Sequence, residues 1–407
     1  MTSNALTVVR TSASLAPRIR SIDAMRGLVM LIMLIDHARE RFFLHMNVSD
    51  PMDIQHTDPL LYWTRLAAHL CAPTFVFLTG LSAWLYAHKA DAAGDIQTRS
   101  PAGFLAKRGL VLIFIEVVVL LGLWFGLANT VYLQVIWAIG LSMLALALLC
   151  RLPTSVLLTL GLMIVFGHNL LTPVQFQPGE WGYSLWTILH DRGYLLKTET
   201  FSIKVSYPLL PWIGVILLGY CAGPLYARAT EPSDRQNWLL KLGLGCWALF
   251  ALLRGLNIYG ETLDWQNHSN TLLTLMDLFN VTKYPPSLAF LLLTLGLMFV
   301  LLWAMERLRR FADSKVEEAL VSFGSAPMFF YILHLYWLMV LYFIGLMFIE
   351  PSYPVGKLGL FLGVEHVSAV WLIALLSALV LYWPTRWFGQ FKQRSAREKG
   401  MGWMRYL

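Results

Sequence analysis

Charge is what this chain has least of. Only 14% of its 407 residues are Asp, Glu, Lys or Arg, where a soluble domain carries about 25%. Set against 57% hydrophobic residues, that shortfall excludes an ordinary soluble protein and places the chain in a bilayer. Cysteine is scarce as well. The four thiols, Cys71, Cys150, Cys221 and Cys246, fall in apolar segments and form no CxxC pair, which argues against a disulfide frame or a zinc centre, so no metal is expected. The +7 net charge is spread through short loops without a basic block, so nucleic acid is not an expected partner. No internal repeat and no inverted pair of broken helices is visible, although many transporters carry one.

What is present is a series of apolar windows about 20 residues long, the length that crosses a membrane as a helix. Ten fall near 22–44, 64–87, 108–127, 131–150, 154–171, 207–226, 238–256, 287–304, 326–348 and 367–387. The fold class expected is therefore all-α, a polytopic membrane bundle. Sixteen Trp and sixteen Tyr suit aromatic belts at two interfaces. Alternate loops and both tails hold 21 of the 31 basic residues, which by the positive-inside rule puts both termini in the cytoplasm. Residues 1–20 read as a flexible tail, 21–390 as the membrane domain and 391–407 as a basic tail. The first apolar run has no small-residue cleavage site and ends in DHARER, so it is expected to be retained, not removed as a signal peptide.

The rest is organised around that first run, SIDAMRGLVMLIMLIDHARER, from Ser21 to Arg41. Ionisable groups at membrane depth cost about 3 kcal/mol each on insertion scales and face a polar interior. Arg26 and His37, eleven residues apart, share a helix face at a separation of roughly 16 Å. Asp36 stands beside His37. Asp23 and Arg26 can neutralise each other across one turn, and Arg39 and Arg41 can snorkel outward without any further role.

Other spans add ionisable groups at matching depths. His69 should lie level with His37, while His334, in FFYILHLYW, and Glu116 fall near mid-membrane. Glu116 is expected to ion-pair, with Arg26 as the candidate. A lone membrane histidine can also serve packing alone, worth about 0.6 kcal/mol. The stretch DLFNVTKYPPSL places Lys283 and Tyr284 at the outer mouth, since Pro285 and Pro286 belong at a helix start. The outward connections 172–206 and 257–286 mix Trp181, Trp186, His190, Asp191, Trp265, Asn267, His268, Asp277 and Asn280. Rings that can stack on pyranose faces beside amides and carboxylates suit a sugar-binding surface, though an interfacial belt gives the same composition.

Four stretches together, RSIDAMRGLVMLIMLIDHARERF, WTRLAAHLCAPTFVFLTGLSAWL, FNVTKYPPSL and FGSAPMFFYILHLYWL, resemble the transmembrane acyltransferase superfamily. The resemblance is to its bacterial branch grouped with the catalytic domain of heparan-alpha-glucosaminide N-acetyltransferase, and it runs from about residue 19 to 390. The Arg26-x10-His37 spacing is its signature. The chain lacks the large lumenal domain of the lysosomal enzyme.

The resemblance implies transfer of an acetyl group from cytoplasmic acetyl-CoA to a sugar amine or hydroxyl beyond the membrane, in a bacterial inner membrane. His37 then matches the essential histidine and Arg26 its basic partner. On the residues themselves, His37 with Asp36 is the candidate catalytic group. Arg26 and His334 are placed on the donor side, and His69, Asp277, Asn280 and Lys283 on the acceptor side. Asp36 lies about 100° round the helix from His37, so the imidazole needs an orienting partner elsewhere, with His69, Glu116 and Asp277 as candidates. The bilayer and a carbohydrate or glycoconjugate acceptor are the expected partners, and a homodimer is open to such a bundle. A proton-coupled transporter with an Asp36–His37–Glu116 relay competes with the enzyme.

Overall fold

The computed structural model describes residues 19–43, 52–89, 100–121, 129–308, 310–354 and 359–395. Most of the two expected terminal tails, 1–18 and 396–407, lies outside them.

Every expected span contains a helix. The first half of the chain supplies α1 (Arg20–Phe42), α2 (Pro59–Ala68), α3 (Cys71–Ala87), α4 (Ala102–Phe114), α5 (Val135–Leu149) and α6 (Thr154–Gly167). The second half supplies α7 (Tyr183–Leu189), α8 (Leu210–Cys221), α9 (Pro232–Gly255), α10 (Thr271–Leu278), α11 (Leu288–Arg307), α12 (Lys315–Ser325), α13 (Pro327–Leu346) and α14 (Val367–Ser395). Six helical stretches among the described residues are long and apolar enough to cross a membrane: α2–α3 together, α6 with the short turn after it, α9, α11, α13 and α14. The chain is a polytopic helical membrane protein. Three other helices in the expected spans, α4, α5 and α8, are shorter, and α1 carries several charges.

Three local departures matter for the site. Span two runs through a tighter turn at His69–Leu70, where the backbone stays helical but the amides bond three residues back, between α2 and α3. In span three α4 passes into a π-helical turn, Ile115–Val119, and residues 122–127 of that span lie outside the described residues. A short amphipathic helix that the apolar windows did not mark, α12, packs against α1. A methyl group on Gly27 would overlap the Leu320 carbonyl, and one on Gly324 would overlap that of Asp23, so the two backbones meet because neither position has a side chain. Arg20 clamps the foot of this contact, its Nη2 lying 2.7 Å from the Glu317 carboxylate.

Short strands stand among the helices. β1 (Thr130–Leu133), β2 (Gly193–Lys197) and β3 (Ser202–Val205) form a sheet ordered β1-β3-β2, with β1 parallel and β2 antiparallel to β3. A two-residue pairing, β4 (Tyr353–Pro354) with β5 (Leu360–Phe361), lies between α13 and α14.

The loops at the sheet end are held by buried charge. Arg254, at the end of α9, is 1% exposed. It donates to the carbonyls of Leu278 (3.1 Å), Asp277 (2.9 Å), Asn280 (3.0 Å) and Leu263. Glu261 accepts from the Thr282 amide at 2.9 Å and from the hydroxyls of Thr282 and Ser287. Ser287 caps α11 by accepting from the Phe290 amide, so the Glu261 contact also fixes where that helix begins.

Candidate active site

The apolar run of α1 delivers His37 into a cavity of about 110 Å³. Asp36, Glu40, Arg65, Lys283, Tyr207 and Tyr284 supply polar lining there. Opposite stands α13. His37 Nδ1 lies 2.7 Å from His334 Nε2, with the two ring planes 4° apart. His334 Nδ1 in turn lies 2.8 Å from the Phe330 carbonyl oxygen.

Those two contacts assign the protons. A carbonyl can only accept, so His334 Nδ1 carries hydrogen and its Nε2, in the neutral ring, holds a lone pair. His37 must then donate from Nδ1, which leaves the lone pair of neutral His37 on Nε2. That is the tautomer a general base needs. The orienting partner is thus His334, which had been placed on the donor side, and not His69, Glu116 or Asp277.

Asp36 is committed elsewhere. Its carboxylate accepts from Arg39 at 3.0 Å and from Arg65 on α2. This corrects the expectation for Arg39, which is 8% exposed and pairs inside the protein where snorkelling was expected. A buried carboxylate between two guanidiniums is held by opposite charge on both sides. It fixes α1 to α2 beside the imidazole.

Glu116 does not meet Arg26. The π turn carries it to the start of α5, where its carboxylate accepts from the Ile136 and Trp137 amides at 3.0 and 3.2 Å. Unsatisfied amides and the positive end of the helix dipole account for that choice. With Asp36 and Glu116 both engaged elsewhere, the relay expected of a transporter is not assembled.

Arg26 pairs with Asp23 at 3.0 Å, as its spacing on α1 indicated, and also reaches Ser82. It lines a second cavity of about 330 Å³, together with Arg108 and Lys392. Phe75, Thr79, Arg108 and Pro327 line both cavities, so the two are neighbours along α1. Arg108 Nε is buried without a hydrogen-bond partner among the described residues.

Of the acceptor-side residues, only Lys283 lines the His37 cavity. His69, between α2 and α3, rests against Phe290, and its Nδ1 has no hydrogen-bond partner among the described residues. The Asp277 carboxylate bonds His268 at 2.7 Å and the Gln266 amide. The carbonyls of Asp277 and Asn280 are taken by Arg254. Trp265 donates to the Arg254 carbonyl, and Trp186 to that of Val174, so both belong to loop scaffolding, while Trp181 is exposed. Arg108 and Lys392 had not been singled out, because each looked like one loop-facing cation among many.

Fold and site together define a polytopic membrane protein with a buried imidazole pair at a polar cavity and a cationic cavity beside it. Residues 18–260, more than half the chain, match the family model described as heparan-alpha-glucosaminide N-acetyltransferase, catalytic, and the chain belongs to that family. A membrane acyltransferase is the activity class this membership supports. The match ends before Lys283 and His334, so the KYPP and FFYILH stretches stand outside it. No individual curated protein matches the chain.

Proposed function

We propose that the protein transfers an acetyl group from acetyl-CoA, held from the cytoplasmic side, to an amine or hydroxyl of a sugar on the far side of a bacterial inner membrane. His37 in the cavity wall, hydrogen-bonded to the buried His334, carries this reading. His37 Nε2 takes the proton of the acceptor as its nitrogen or oxygen bonds to the acyl carbon; the C–S bond breaks, and the leaving thiolate takes that proton from His37, so that CoA departs as the thiol. His334 fixes the ring and shares the positive charge that develops on it. The cationic cavity fits the anionic end of the donor: Arg26, Arg108 and Lys392 present guanidinium and ammonium groups to phosphates, and the wall shared with the first cavity allows a slender arm to reach His37.

Purified protein supplied with acetyl-CoA and glucosamine should release free thiol and form acetylated sugar. His37→Ala should lower this rate by about 10²–10⁴-fold, the usual contribution of a positioned base, while remaining membrane-inserted. Thiol release at the wild-type rate in that variant would refute the reading.

A further inference from the structure

In the apolar run FFYILH of α13, one hydroxyl interrupts the hydrocarbon, that of Tyr331. Tyr331 is 3% exposed and lines the His37 cavity. Its ring meets both imidazoles edge-on, with centroids 6.0 Å from His37 and 5.6 Å from His334. Phenylalanine would fill the same space and keep both edge contacts, so packing does not ask for the oxygen.

The hydroxyl of Tyr331 forms no hydrogen bond among the described residues. A phenol buried in this way gives up its bonds to water with nothing in return, and folded proteins seldom keep such a group without a use. The other two tyrosines of the cavity satisfy each other: Tyr284 donates to the Tyr207 oxygen at 3.1 Å, with the Lys283 ammonium 5.3 Å from the Tyr284 ring. Tyr331 therefore stands apart as a donor that the protein itself does not use.

Its place on α13 points to what it meets. Pro327 lines both cavities, Tyr331 follows one turn later on the same face, and His334 follows one turn after that. The steps are about 6 Å and 4.5 Å along the axis. A slender donor arm that enters from the cationic cavity passes Pro327 before it reaches His37, which brings its acyl carbonyl level with Tyr331. A carbonyl oxygen only accepts, and a phenol can donate to it.

We infer that the Tyr331 hydroxyl is a catalytic residue, the hydrogen-bond donor to the acyl oxygen of the thioester. The acceptor's nitrogen or oxygen bonds to the acyl carbon, His37 Nε2 takes its proton, and the carbonyl π pair moves onto the acyl oxygen. The Tyr331 O–H holds that negative charge while keeping its own proton. When the pair returns to re-form C=O, the C–S bond breaks and the thiolate takes the proton from His37. A donor already fixed in an apolar wall needs no reorganisation as the charge appears, which is why such groups weigh heavily in acyl transfer. The inference rests on the acetyl-transfer reading above and adds the group that stabilises its tetrahedral intermediate.

Tyr331→Phe isolates the hydroxyl. In the purified protein supplied with acetyl-CoA and glucosamine, kcat should fall on the order of 10²-fold. The acetyl-CoA KM should change little, and the melting temperature should not drop, because no internal hydrogen bond is lost. A second measurement needs no turnover: the infrared carbonyl band of isotope-labelled acetyl-CoA bound to His37→Ala. That band should lie below its position in free acetyl-CoA and move back towards it when Tyr331→Phe is added. A wild-type kcat in Tyr331→Phe, or a band that the substitution leaves in place, would overturn the inference and leave the acyltransferase reading intact. A fall in melting temperature that accounts for the lost rate would also overturn it, by making Tyr331 a packing residue. A wild-type protein that neither binds nor turns over acetyl-CoA would instead remove the acetyl-transfer reading, and this assignment with it.

Discussion

His334 accepts the Nδ1 proton of His37 across 2.7 Å, and so decides which nitrogen of His37 is basic. The consequence is testable on His334 alone. His334→Ala should lower kcat on the order of 10²-fold, since a base freed to rotate loses its attack geometry, with the acetyl-CoA KM little changed. His334→Gln, whose amide oxygen can accept the same proton, should recover part of the rate. A wild-type kcat in His334→Ala would remove the orienting role.

Arg108 should act on the donor. Its Nε lacks a partner among the described residues where the two cavities meet, so Arg108→Gln should raise the acetyl-CoA KM on the order of tenfold, the scale of one lost charge-assisted contact. Arg108→Lys should restore some of it, because charge returns without the planar fork. An unchanged KM would place the donor phosphates elsewhere.

The basic-residue count makes a topological claim. Reporter fusions after Gly94 and Glu231 should read cytoplasmic, and those after Tyr183 and Gly260 should read external. Gly94 and Tyr183 on the same side would break the ten-span, N-in/C-in arrangement.

Arg254 should matter for stability and little for chemistry. Arg254→Ala strips four carbonyls of their donor and should cost about 3 kcal/mol, visible as a lower melting temperature in detergent. A wild-type melt would show that the 257–286 loop holds itself.

The foot of α1 carries a pH dependence. The hydrogen bond from Arg20, helped by the Asp313 amide, holds the Glu317 carboxyl below its ordinary value. A depressed carboxyl contributes stability that is present above the unfolded pKa and lost as pH falls through the folded one. Melting temperature should therefore drop on acidification below about pH 4.5, the ordinary value of a glutamate carboxyl. Glu317→Gln should flatten that part of the curve. Identical acid limbs in the two proteins would acquit this pair.

The helices were legible because apolar runs of bilayer length leave few alternatives, His37 because charge in such a run is expensive, and Lys283 because Pro285 and Pro286 mark a helix start beside it. The partners were not. His334 meets His37 only through the way α13 lies along α1, which no local pattern encodes. Glu116 looked like an ion-pair residue until the π turn brought it to the amides of α5, and Arg39 was read as snorkelling although its partner Asp36 stands one turn away on the same helix. The sheet was hidden because β2 and β3, of five and four residues, carry too little alternation to stand out in the 172–206 connection, and β1 falls at the start of the apolar window 131–150.

One contact described at the foot of α1 reaches further than packing. Arg20 with Glu317, Gly27 with Gly324 and His37 with His334 are each separated by 297 positions. The two segments climb side by side in step, like the scales of a vernier, despite the joint at Ala326 between α12 and α13. One residue inserted at that joint would turn His334 by about 100° and lift it by about 1.5 Å. The glycine contact would stay closed while the imidazoles parted, so the proton's address on His37 is set by a count of residues begun three turns below.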